Sequence, residues 1–122
     1  MKAIKRLFVI AIALTFTVFA KAQAYNYKLD GPVTVIKTFK VNGVCGMCKH
    51  RIENSVKKLN GIWSADWSED SKTLQVKYNR VKVNPEKIQQ QVASAGHDTE
   101  KFRAADNVYA ALPDCCHYQR KS

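Results

Sequence analysis

The sequence lacks the features typical of repeat proteins, of low-complexity proteins, of membrane-spanning proteins and of nucleic-acid binders. It has no internal repeat and no low-complexity segment. Its uncharged run, Leu7–Ala20, has 14 residues, fewer than the roughly 20 that a membrane-spanning helix needs. Its 20 lysines and arginines outnumber the 10 acidic residues, but they are scattered, whereas nucleic-acid binders gather them on one face. The sequence therefore predicts no nucleic-acid partner and no stable membrane insertion.

The N-terminal segment has the residue order of a secretory signal peptide. A basic start precedes the uncharged run, and two small-x-small sites follow it between Ala20 and Ala24. No cysteine lies near these sites, which disfavours lipid attachment. We expect residues 1–24 to be removed on export to the periplasm, with cleavage near residues 22 to 24. An uncleaved N-terminal anchor is the alternative.

The rest of the chain is long enough for one domain with a modest core. The leader carries four of the basic residues, so the remainder has a net charge of +6. We divide this remainder into an N-terminal lead, residues 25–33, a domain, residues 34–103, and a C-terminal tail, residues 104–122.

Hydrophobic periodicity predicts the order strand, helix, strand, strand, helix, strand. Asn84 is the predicted N-cap of the second helix and Pro85 its first residue, and Gly96 ends the helix. This order predicts an α+β, ferredoxin-like βαββαβ sandwich, a four-stranded antiparallel sheet with two helices on one face. The six segments are about Thr34–Val41, Met47–Leu59, Ile62–Ser68, Thr73–Tyr78, Pro85–Ala95 and Thr99–Arg103.

Two cysteines, Cys45 and Cys48, stand where the first strand runs into the first helix. Thiolates are soft ligands that select Cu(I) or Zn(II) over hard ions. A helix N-terminus favours the thiolate form of Cys48, as do Lys49 and Arg51 nearby. Two thiolates satisfy Cu(I) of low coordination number, whereas closed Zn(II) sites generally have four ligands.

Two other readings of the same cysteines stay open. A Cys-x-x-Cys pair at a helix start also occurs in thiol-disulfide redox proteins, although none of Pro32, Pro85 and Pro113 is placed to pack against the thiols. A structural disulfide is the third reading, because exported thiols oxidise unless a metal or a partner protects them.

The tail adds three candidate metal ligands, Cys115, Cys116 and His117. A bridge between the two adjacent cysteines would be strained, because their Cα atoms lie only about 3.8 Å apart. We expect the tail to bring one or two further ligands to the first site. A disulfide from the tail to Cys45 or Cys48, or a dimer contact through free thiols, is the alternative.

A strand that leads into a Cys-x-x-Cys loop, a helix, and then the Gly61–Ile62 start of the next strand resembles the heavy-metal-associated domain family. The resemblance covers about Thr34–Phe102. This family includes small copper chaperones, periplasmic mercury-binding proteins and N-terminal domains of metal-pumping ATPases. It implies that Cys45 and Cys48 are thiolate ligands of a soft ion, usually Cu(I), with Zn(II) and Hg(II) as further candidates.

The resemblance also directs attention to two positions beside the cysteines. The family commonly has a methionine two residues before the first cysteine, where this chain has Gly43, and its own Met47 lies between the cysteines. By resemblance, His97 lies in a loop beside the cysteine loop and is a third ligand or a hydrogen-bond donor there. An ordinary surface histidine is the alternative.

Together these features predict an exported carrier of one soft metal ion, above all Cu(I), and not an enzyme. We expect transfer by thiolate exchange to an acceptor with its own thiols, such as a metal-transporting ATPase, with Lys49 and Arg51 orienting the encounter. The alternatives are a thiol-disulfide redox protein and a metal-sequestering or sensory module.

Overall fold

The computed structural model describes residues 32–121, so the predicted signal peptide, residues 1–24, lies outside the described residues. Among the residues described, no helix has the length and apolar character needed to cross a membrane. The elements in chain order are β1 (Thr34–Lys40), α1 (Gly46–Lys57), β2 (Ile62–Ser68), β3 (Thr73–Asn79), α2 (Pro85–Ser94), α3 (Asp106–Ala110) and a 3₁₀ turn (Asp114–Cys116).

The three strands form one antiparallel sheet in the order β1-β3-β2. Strand β1 pairs with β3 along its whole length, from Thr34 opposite Asn79 to Lys40 opposite Thr73. The hairpin between β2 and β3 includes Lys72 at a φ of 55°. The central strand β3 is therefore hydrogen-bonded on both sides, and β1 delivers the chain to the cysteine loop at one end of the sheet.

The core lies between one face of this sheet and the two long helices. Helix α2 begins as the Asn-Pro pair predicts, because Asn84 Oδ1 accepts a hydrogen bond from Lys87 N at 2.8 Å. Alternate strand residues and the i, i+4 positions of each helix are buried, each side chain contributing roughly 1.5–3 kcal/mol. The principal buried residues are Phe39, Ile52, Val56, Trp67, Leu74, Val76, Tyr78, Ile88 and Val92.

The α+β architecture with an antiparallel sheet is confirmed, but the predicted fourth strand, Thr99–Arg103, is wrong. In residues 32–121 the sheet has three strands, and Thr99 makes only an isolated bridge with Val41. Thr99 N donates to Phe102 O at 2.8 Å, and Thr99 Oγ1 accepts from Phe102 N at 3.0 Å. This side-chain-closed turn competes with strand pairing, and it sends the tail back over the domain.

The tail folds onto the domain through α3 and the 3₁₀ turn. Leu112, which is buried, covers Gly96, whose φ of 110° ends the α2 region. A Cβ atom on Gly96 would lie 2.7 Å from Leu112 Cδ2, so the glycine serves both the backbone conformation and the close approach of the tail. The tail is thus packed on the loop that faces the cysteines.

Candidate metal centre

The start of the cysteine loop is held by two backbone hydrogen bonds. Val41 N donates to Lys72 O at 2.9 Å, and Asn42 N donates to Asp98 O at 2.9 Å. Cys45 is the N-cap residue of α1, with extended backbone angles, and its side chain is half-buried. Cys48, one turn into the helix, is fully buried. The two thiols therefore differ in access, with Cys45 on the outside.

Trp67 fills the space beside the loop that a side chain at position 43 would need. A Cβ atom on Gly43 would lie 2.8 Å from Trp67 Cζ2 and 3.1 Å from Cys48 Cβ. Trp67 Nε1 donates to Val41 O at 3.1 Å, and the indole is almost fully buried. The indole thus packs against the loop at Gly43. This is the position at which the resemblance described above would place a methionine. The sequence did not identify this pairing.

The structure brings the two tail cysteines to the loop cysteines. Cys45 Sγ lies 3.8 Å from Cys48 Sγ, 3.3 Å from Cys115 Sγ and 3.9 Å from Cys116 Sγ. The sulfur atoms of Cys115 and Cys116 are 3.9 Å apart. All four residues are free thiols, and the sulfur atoms of Cys45, Cys115 and Cys116 form a group able to hold a metal ion.

Hydrogen bonding lowers the pKa of Cys45 to about 7. The hydrogen bond from the backbone N–H of Cys48 contributes most, followed by the hydrogen bond between the Cys45 and Cys115 thiols. The same hydrogen bond raises the pKa of Cys115, and burial raises the pKa of Cys116. Cys45 is thus the N-cap residue that accepts from the helix backbone, and Cys48 lies in the first turn of the same helix.

Lys49 does not support the thiols as the sequence predicted. Its Nζ lies 2.6 Å from Glu53 Oε1 and 2.6 Å from Asp66 Oδ1, and it donates to Trp67 O at 2.9 Å. Its ammonium group is therefore paired with one carboxylate of α1 and one of β2. Arg51 lines an open groove along α1 together with Met47, His50 and Lys58, so the exposed basic surface beside the loop comes from residues other than Lys49.

His97 is fully buried, so the surface-histidine alternative is wrong. Its Nδ1 lies 2.8 Å from Asn42 O, and because a carbonyl oxygen only accepts, Nδ1 carries the proton. Burial lowers the pKa of His97, which keeps the ring neutral. His97 is thus a hydrogen-bond donor to the cysteine loop. Its Nε2 finds no partner within residues 32–121.

Neither candidate histidine belongs to the sulfur cluster in the described part of the chain. His117 is exposed, and its ring packs on Tyr109 with centroids 5.1 Å apart. The exposed His50 lies on α1 in the groove beside Met47. Ligation by His97 or His117 stays a prediction, and the donors that the fold assembles are sulfur atoms.

Two tail residues hold the tail cysteines at the loop. Tyr118 OH accepts from Asp98 N at 2.8 Å and donates to Gly96 O at 3.0 Å. Arg120 binds Asp98 with two hydrogen bonds, Nε to Oδ2 at 2.9 Å and Nη2 to Oδ1 at 2.8 Å. Because Asn42 N also bonds Asp98 O, the tail and the cysteine loop share one anchor residue.

Comparison with known proteins identifies the domain. Residues 38–98 match the model of the heavy-metal-associated domain. The chain belongs to the heavy-metal-associated domain family. The matched residues include both loop cysteines and His97, and the tail cysteines lie beyond the matched range.

Among its relatives, this family member is similar to the copper chaperone CopZ of Staphylococcus epidermidis, with 34% identity over 65 residues, covering 52% of this chain and 96% of CopZ. A solved CopZ metallochaperone matches with a TM-score of 0.52 at 26% identity, covering 53% of this chain and 98% of the other. The N-terminal domain of a potential copper-translocating P-type ATPase from Bacillus subtilis, solved in its Cu(I)-loaded state, matches with a TM-score of 0.52 at 25% identity, covering 54% of this chain and 84% of the other.

Proposed function

We propose that this chain carries Cu(I) on the Cys45 and Cys48 thiolates and passes it to an acceptor that presents its own thiols. The observation that carries the proposal is the pair of sulfur atoms 3.8 Å apart, with the pKa of Cys45 lowered to about 7. Similar proteins are named as a copper chaperone and a copper-translocating ATPase, which supports Cu(I) over Zn(II) or Hg(II). The chain would act as a carrier and not as an enzyme.

The unequal exposure of the two thiols supports an order of transfer. An incoming thiolate reaches the ion on the side of the half-buried Cys45, while the buried Cys48 keeps its hold. One copper–sulfur bond to Cys45 breaks as one to the acceptor forms, and Cys45 takes up the proton that the acceptor thiol loses. Copper stays Cu(I) throughout, so no oxidant or reductant is needed.

The acceptor would be a metal-transporting ATPase or another protein with paired thiols. The groove along α1 supports an acidic docking surface on that partner, because Arg51, His50 and Lys58 line it next to Met47. We also propose that the protein acts after export, on the strength of the leader sequence in residues 1–24. Mass spectrometry of the protein from a periplasmic extract would test this by locating the mature N-terminus.

Competition with a Cu(I) chelator, on protein purified anaerobically, tests the metal site. We expect Cys45→Ser to weaken Cu(I) binding by at least tenfold, and both Cys45→Ser and Cys48→Ser to abolish rapid transfer to a dithiol acceptor. Lys57→Ala, an exposed position on the same helix outside the groove, is the matched control and should behave as wild type. Wild-type transfer rates in both cysteine variants would refute the proposal. Metal-free reduction of a disulfide substrate would favour the redox alternative instead.

A further inference from the structure

We propose that the C-terminal tail completes the metal site, with Cys115 and Cys116 joining Cys45 as thiolate ligands and slowing the release of the bound ion. The inference rests on the proposed function, since it takes Cys45 as a ligand. It adds two ligands from beyond the matched family domain, residues 38–98. The chain would then retain its ion as well as carry it.

The sulfur–sulfur distances fit an ion bound by three thiolates. A metal–sulfur bond of about 2.3 Å places three coplanar sulfur ligands about 4.0 Å apart. The sulfur atoms of Cys45, Cys115 and Cys116 form a triangle. The distances from Cys116 Sγ to Cys45 Sγ and to Cys115 Sγ are both 3.9 Å. The third edge, from Cys45 to Cys115, is 3.3 Å and needs to open by roughly 0.7 Å to match that bond length. Cys115 is exposed and able to make this movement.

The tail is held in place by contacts that involve no cysteine. Tyr118 and Arg120 bond the backbone and side chain of Asp98, and the side chains of Arg120 and Asp98 are only 9% and 10% exposed. The two tail thiols are therefore presented to Cys45 before any ion binds. Such preorganisation reduces the entropy lost on binding, which makes ligation by the tail favourable rather than incidental.

Cys45 belongs to both thiol sets, which gives the ion a path between them. Its sulfur is 3.8 Å from the loop partner Cys48 and 3.3 Å from the tail partner Cys115. On the exposed side, the Cys115 thiol also contacts Met47 Sδ at 3.4 Å, a further soft donor. Displacement of the Cys115 and Cys116 thiolates would leave the ion bound to Cys45 and Cys48, from which it can be transferred. The tail thus controls the release rate.

The test compares full-chain protein loaded with one equivalent of Cu(I). X-ray absorption should find three sulfur ligands in wild type and two in the Cys115→Ser/Cys116→Ser variant. Stopped-flow transfer to a Cu(I) chelator should be at least tenfold faster in that variant. Gln119→Ala, an exposed tail position that is not a candidate ligand, is the matched control. Arg120→Ala, which keeps all four thiols and loosens the tail, should also release copper faster than wild type.

The outcomes separate this inference from the proposed function. Two sulfur ligands in wild type, together with an unchanged release rate in the double variant, would overturn the tail ligands while leaving the loop pair intact. Unchanged binding when Cys48→Ser is added to the Cys115→Ser/Cys116→Ser variant would instead refute the loop pair. Loss of the third sulfur ligand in the double variant, with folding preserved by circular dichroism, supports the tail ligands.

Discussion

Asp98 and Arg120 form a two-bond ion pair that joins the tail to the domain, with N–O distances of 2.9 and 2.8 Å and both side chains about nine-tenths buried. Asp98 Oδ1 also accepts from Ala104 N at 2.7 Å. Burial alone would raise the pKa of Asp98, but its hydrogen bonds to Arg120 and Ala104 prevail and lower it. The carboxylate is therefore charged and fully engaged at neutral pH.

Replacing Arg120 should destabilise the protein more than replacing an exposed lysine. Arg120→Ala leaves the buried Asp98 carboxylate without its cation, and breaking such a pair costs roughly 3 kcal/mol. We expect this loss in the free energy of unfolding, measured by urea denaturation. The control is Lys101→Ala, which removes an exposed pair with Glu86 and should cost less than about 1 kcal/mol. Equal effects of the two substitutions would contradict this account of the anchor.

The same ion pair predicts a loss of stability in acid. The pKa of Asp98 is lower in the folded protein than in the unfolded chain, so its contribution is complete above about pH 4, the ordinary carboxyl pKa. As the pH falls through the lower folded-state pKa, that contribution disappears. The difference in unfolding free energy between wild type and Arg120→Ala should therefore shrink below about pH 4. A constant difference down to pH 2 would show that Asp98 is not its source.

A side chain at position 43 should be poorly tolerated because of Trp67. Gly43→Ala places a Cβ atom 2.8 Å from Trp67 Cζ2, and overpacking of this kind costs about 1–3 kcal/mol. Gly46→Ala, where nothing lies within 4 Å of the new Cβ, is the matched control and should be near neutral. In a Trp67→Phe background the cost of Gly43→Ala should fall, which a double-mutant cycle of thermal unfolding would detect. Additive effects would exclude the proposed contact.

Cys45 should be the most reactive thiol of the metal-free protein at neutral pH. Its pKa of about 7 leaves a large thiolate fraction, whereas burial raises the pKa of Cys116. Alkylation by iodoacetamide, mapped by mass spectrometry across pH, should reach half of its maximal rate near pH 7 at Cys45. Cys115→Ala removes the hydrogen bond between the two thiols, which lowers the pKa of Cys45, and should move this midpoint upward. Faster alkylation of Cys116 than of Cys45 at pH 7 would contradict the assignment.

Local sequence patterns were sufficient for most of the domain. The alternating residues of β2 and β3, the Asn84 cap and the Cys-x-x-Cys loop each depend on neighbours a few positions away. The predicted strand at Thr99–Arg103 failed for a local reason as well, because the hydroxyl of Thr99 closes a turn. A threonine followed by polar residues is the local signal for such a turn.

Contacts between distant residues could not be predicted in this way. Lys49 turns to Asp66, 17 residues along the chain, and Arg120 reaches Asp98 across 22 residues. The tail cysteines were candidate ligands by composition, but their position depends on such long-range contacts. The sequence analysis expected the tail to bring ligands to the first site, but the distances between those cysteines and Cys45 appeared only in the folded chain.

The position of Trp67 has a practical consequence for spectroscopy. Its indole is almost fully buried and lies against Gly43 of the cysteine loop, so the protein carries its own fluorophore beside that loop. Trp63, which is 64% exposed, supplies a solvent-facing emission at longer wavelength. A soft, heavy ion arriving at the loop would quench the blue component selectively, and the ratio of the two emissions would follow loading in real time without an added dye.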